Sequence, residues 1–131
     1  MSSLPTAVTV EVPATPEFVQ VLRHVAAGVA ARVDMPIDLI EEIRLAVTEA
    51  SSILLDEAEA STLSMRIGRD DDSLEVTLSS DATVEPWPTE QALASWPWLV
   101  VKGLTDALRA DRGADGEPTI GFRKQRERVA R

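Results

Sequence analysis

Two kinds of hydrophobic rhythm alternate along the chain. Ala7-Val8-Thr9-Val10-Glu11-Val12 places Val8, Val10 and Val12 at every second position, which predicts a half-buried strand. Thr62–Ile67 and Leu74–Leu78 repeat that pattern, and Pro118-Thr119-Ile120-Gly121-Phe122-Arg123 predicts a final strand. Between them lie stretches of helical period. From Thr15 to about Val33, Val21, Leu22, Val25, Val29 and Val33 form an apolar stripe, with alanines making the helix slim. From about Pro36 to Leu55, Ile40, Ile43, Val47, Ala50 and Leu54 fall on one face. Arg44, Thr48 and Ser51 fall opposite, and Glu49 sits at the edge of the stripe beside Ala46 and Ile53. In the third helix, Trp98, Val101, Leu104, Thr105 and Leu108 recur at helical spacing.

The breakers agree with these spans. Thr15-Pro16-Glu17 supplies an N-cap, a proline at the first helical position and an early acid. Asp34-Met35-Pro36 ends the first helix, because proline restricts the residue before it and cannot continue the hydrogen-bond ladder. Ser95-Trp96-Pro97 opens the third helix. Gly68–Asp72 and Asp111–Glu117 read as turns, and the aspartates at the first tip are most simply solvated. The order is β-α-α-β-β-α-β, an α+β class. It predicts a two-layer sandwich whose mostly antiparallel sheet is covered on one face by three helices.

The 131 residues suit a single domain with one core, with residues 1–6 and 126–131 as loose termini. The net charge of −9 disfavours nucleic acid as a partner. That charge is uneven: five basic residues against Glu127 in the last ten leave −13 for residues 1–121. Cysteine is absent, which removes disulfide and thiolate chemistry and fits a reducing cytoplasm. No apolar run approaches the ~20 residues that span a bilayer, and no signal-peptide pattern opens the chain. The lone His24 cannot make a histidine metal site, so no metal site is expected.

Glu-Ile-Arg-Leu-Ala-Val-Thr-Glu-Ala-Ser-Ser-Ile, residues 42–53, resembles the N-box helix of the anti-sigma-factor serine kinases. These share their fold with histidine kinases, gyrase, heat-shock chaperones and mismatch-repair proteins. The resemblance covers nearly the whole chain in element order, and is specific in this helix and in the closing Phe122-Arg123-Lys124. It implies the catalytic base for Glu49. The family's magnesium-binding Asn, four residues on, is here Ile53, which offers no oxygen to a hard cation. Asp81 falls where the family reads adenine, but no glycine follows it, and no glycine-rich cradle for phosphates stands elsewhere. Trp87, Trp96 and Trp98 occupy the region of the missing lid.

The resemblance therefore implies fold and partners rather than chemistry. The expected partners are an alternative sigma factor and a STAS-domain anti-anti-sigma factor that releases it, with a homodimer through the first strand and helix. Candidate partner-binding residues are Arg23, Arg44, Trp87 and Trp96, Arg23 because the family uses an arginine in this part of the first helix. Arg23 equally reads as an ordinary exposed helix arginine, and Glu49 as a helix residue paired with Arg44 or Arg66. No nucleotide cofactor is expected. ATP with magnesium belongs to the alternative, an active serine kinase that phosphorylates the STAS antagonist. A third alternative is an interaction domain outside this family.

Overall fold

The structure, a computed structural model, describes residues 7–70 and 72–127. The expected loose ends at residues 1–6 and 128–131, and Asp71 of the acidic tip, lie outside the described residues. Among the described residues, five strands and four helices follow one another. They are β1 (Ala7–Pro13), α1 (Pro16–Arg32), α2 (Ile37–Glu57), β2 (Thr62–Asp70), β3 (Ser73–Ser80), α3 (Glu90–Leu93), α4 (Trp96–Leu104), β4 (Ala107–Arg112) and β5 (Pro118–Gln125). The strands form one antiparallel sheet in the order β1-β2-β3-β5-β4.

Alternation decides which face of the sheet is covered. Met65 lies opposite Leu78, which lies opposite Ile120; Ile67, Val76 and Phe122 form the next row. All six are buried. The intervening rows carry Arg66, Thr77 and Gly121, then Glu75 and Arg123, and face away from the helices. The result is the expected two-layer α+β sandwich.

Helix α2 forms the centre of the helical layer. Ile40, Ile43, Val47, Ala50 and Leu54 are buried as their spacing predicts, and so are Leu39, Ala46 and Ile53. Burying each of the larger side chains contributes roughly 1.5–3 kcal/mol. Ser51 departs from expectation and is fully buried. Helix α1 is rotated from its predicted stripe: Val19, Leu22, Ala26 and Ala30 face the core, while Val21 is exposed. The reason is proximity. Small side chains let α1 approach α2 and the sheet closely, and Val25, Val29 and Val33 lie partly buried on the flanks.

The junction between α1 and α2 is a Schellman turn. Asp34 adopts a left-handed backbone with φ 63°. Its N–H donates to Ala31 O at 3.2 Å, and the Met35 N–H to Ala30 O at 3.1 Å. Pro36 then starts α2.

The third predicted helix needs two corrections. It is preceded by the short α3, and it stops at Leu104 rather than running to Leu108. Thr105 turns its hydroxyl back onto Val101 O at 2.8 Å, and the Asp106 N–H pairs with Arg123 O at 2.9 Å. Sheet pairing therefore wins over helical period, and Leu108 becomes part of the edge strand β4. The expected turn shrinks to Gly113–Glu117, where the Gly113 N–H donates to Glu117 O and Gly116 takes φ 82°. At the other end of the sheet, Arg126 is tied to the β2–β3 hairpin rather than loose. Its N–H donates to Asp72 O at 2.6 Å, and its guanidinium lies 3.2 Å from the Asp72 carboxylate.

Candidate functional site

Helix α2 meets the α3–α4 segment along one stripe, held at both ends. At the N-terminal end Lys124 Nζ lies 2.5 Å from Glu42 Oε1 and also donates to Leu104 O, the last carbonyl of α4. At the C-terminal end the Thr89 hydroxyl donates to Glu57 Oε1 at 3.0 Å while capping α3. The residues between these anchors at helical spacing are Ala46, Glu49 and Ile53. Glu49 is thus half-buried on the side of α2 that faces α4.

Glu49 has no ion-pair or hydrogen-bond partner among the described residues. Arg44 pairs instead with Glu41 at 3.6 Å, and Arg66 lies on the far face of the sheet. Ile53 is packed in the core, with no polar atom to present. Among the described residues no three acidic or histidine side chains converge as a metal ion would need.

Asp81 has a different environment. Its Oδ1 accepts from the Ser61 N–H at 2.8 Å and the Thr62 N–H at 3.2 Å, so it caps the start of β2. It lines an open cavity of about 610 Å³ with Glu11, Ser64, Ser79, Arg112 and Glu117. Glu11, Ser64 and Ser79 have the register of the face turned away from the helices. Glu49 is not among the residues lining this cavity.

The loop between β3 and α3 is filled and fastened. Ala82, Val84 and Trp87 join the core. The Trp87 indole N–H donates to Asp111 O at 2.9 Å, with Thr119 O at 3.4 Å. Arg112 donates to Val84 O and Gly116 O, both at 2.7 Å, and pairs with Glu85 at 3.1 Å. Of the expected partner-binding tryptophans, Trp87 is therefore a core residue, because its ring and its N–H are both used internally. Trp96 is the exposed one, at 75%. Arg23 is half-buried on α1, and its Nε is buried without a hydrogen-bond partner.

Residues 12–120 match the family described as the histidine kinase-like ATPase domain. The chain belongs to that family. Among curated proteins it is similar to the "Serine-protein kinase RsbW" of Bacillus subtilis (strain 168), 33% identical over 78 residues, covering 56% of this chain and 49% of that protein. The protein of the same name from Halalkalibacterium halodurans is 34% identical over 77 residues, covering 57% and 48%. The Bacillus velezensis counterpart is 33% identical over 76 residues, covering 55% and 48%. The chain spans about half the length of these relatives.

Within this histidine kinase-like ATPase domain, the Lys124–Glu42 anchor and the Arg112 staple were not anticipated from the sequence. The first had a signal. Lys124 continues the inward parity of Ile120 and Phe122, and a lysine in a buried row calls for an acidic partner. The Arg112 staple had none, since it joins residues 28 apart through a backbone carbonyl.

Proposed function

We propose that this chain is an anti-sigma factor that sequesters an alternative sigma factor and yields it to a STAS-domain anti-anti-sigma factor, without ATP-dependent phosphoryl transfer. Membership of the histidine kinase-like ATPase family and similarity to proteins named RsbW support the family role. One observation carries the loss of chemistry. Ile53, four residues after Glu49, is a buried aliphatic side chain where phosphoryl transfer needs an oxygen ligand for magnesium. The residues present do not fit a magnesium nucleotide: the loop beyond β3 brings Trp87 into the core where glycines would admit phosphates. Affinity for partners then comes from apolar packing and charge complementarity.

The second reading is an active serine protein kinase acting on the STAS antagonist. Two facts favour it: the names of the relatives, and a Glu49 carboxylate with no partner among the described residues. A general base needs such freedom to accept a hydroxyl proton.

Calorimetric titration of nucleotide-free protein with magnesium-ATP separates the two. The anti-sigma reading expects no heat at millimolar ATP and saturable binding of a sigma factor in the absence of nucleotide. Tight ATP binding, followed by phosphate transfer to a STAS protein that Glu49→Gln abolishes, establishes the kinase. Cytoplasmic location is part of the proposal, and among the described residues no helix is long and apolar enough to cross a membrane.

A further inference from the structure

Helix α4 is apolar on both sides. Its inner side places Trp98, Val101 and Leu104 against the core. On its outer side Trp96 is 75% exposed and Leu99 51% exposed, and Leu93 at the end of α3 is exposed beside them. Trp96, Leu99 and Gly103 follow at steps of three and four, so they share one face. Single exposed apolar residues are ordinary. An uncovered tryptophan in line with Leu99, on a helix whose other face is already buried, is the pattern of a docking surface. Tryptophan in particular is enriched at the energetic centres of interfaces.

Gly103 points the same way. Glycine inside a helix costs roughly 0.5–1 kcal/mol relative to alanine. A Cβ at Gly103 would meet no atom within 4 Å, so packing inside the described chain does not require the glycine. It leaves the backbone of α4 uncovered one turn beyond Leu99.

Charge selects the occupant. From Glu90 to Asp106 the α3–α4 segment carries Glu90 and Asp106 against one base, Lys102. The neighbouring α2 carries six acids against Arg44, and the whole chain has a net charge of −9. A second copy would bring a like net charge of −9 to the contact, which opposes self-association there. We infer that the outer face of α4 seats a protein partner whose docking surface has an apolar centre ringed by lysine and arginine. Identifying that partner as the sequestered sigma factor rests on the function proposed above.

The test titrates purified sigma factors of the source organism into the full chain and its variants, with thermal unfolding as the folding control. Trp96→Ala/Leu99→Ala weakens sigma binding at least 100-fold and leaves folding intact. Gly103→Leu raises the unfolding temperature, because leucine is the better helix former, yet weakens binding at least tenfold. Glu90→Lys weakens it several-fold, and added salt narrows that difference. If the wild-type chain binds a sigma factor and these variants bind it equally well, the surface is wrong and the function stands. Failure of the wild-type chain to bind any sigma factor overturns both. Wild-type dimers that Trp96→Ala/Leu99→Ala converts to monomers overturn the choice of occupant.

Discussion

Lys124 Nζ reaches Glu42 Oε1 at 2.5 Å, and the lysine side chain is 7% exposed while the glutamate is 25% exposed. The pair ties the last sheet strand to α2, and the second bond from Lys124 to Leu104 O holds the end of α4. Removing one partner of a buried pair leaves the other charge uncompensated, which costs about 3–5 kcal/mol. Glu42 keeps some solvent, so Lys124→Met is expected to cost about 3 kcal/mol, at the lower end of that range. Replacing both, as Lys124→Met/Glu42→Leu, restores most of the loss. Urea unfolding checks this through the midpoint, with the slope of the transition unchanged.

Trp87 is the residue that fills the loop. Trp87→Ala removes a buried ring and leaves a cavity, at an expected cost of about 3–5 kcal/mol. Trp87→Phe keeps most of the volume but loses the donor to Asp111 O, at about 1–2 kcal/mol. Denaturation of the two variants separates packing from hydrogen bonding. Equal losses would mean that the indole N–H, rather than the ring, fixes the loop.

The sheet and the central helix were legible because each buries a full row of one period. Val76 and Ile120 announce their faces by alternation, and Ile43 and Val47 by helical spacing. Leu108 was not legible, because its helical spacing from Leu104 is equally the inward parity of an edge strand. Only the long-range pairing of Asp106 with Arg123 chooses between them. The candidate site divides in the same way. Glu49 was placed correctly at the edge of the buried stripe by local spacing. The burial of Trp87 depends on carbonyls 24 and 32 residues away, which no local pattern encodes.

Asp34 closes α1 with φ 63°, a conformation that strains a residue bearing a Cβ. Its backbone N–H is used in the Schellman turn, and that bond survives substitution by glycine. Asp34→Gly is therefore expected to stabilise the fold by about 0.5–1 kcal/mol. Asp34→Ala keeps the steric strain and loses the polar tolerance of aspartate, so it destabilises by a similar amount. Thermal unfolding of both variants reads the sign. A stabilising Asp34→Ala would show that the turn is not held left-handed in solution.

Ile53 allows the proposed loss of phosphoryl-transfer chemistry to be probed from the opposite direction. Ile53→Asn restores an oxygen four residues after Glu49, but at a site the structure packs with apolar neighbours. The change deletes buried aliphatic surface and buries an amide, an expected cost of about 3 kcal/mol. A ligand that binds the native state raises stability in proportion to the logarithm of its concentration over its dissociation constant. Millimolar magnesium-ATP is therefore expected to leave the unfolding temperature of the wild type and of Ile53→Asn unchanged, because Trp87 still fills the loop. Nucleotide-dependent stabilisation of Ile53→Asn alone would mean that the missing ligand, not the filled loop, is what closed the site. Stabilisation of the wild type would show that neither Ile53 nor the filled loop excludes the nucleotide, and would overturn that part of the proposal.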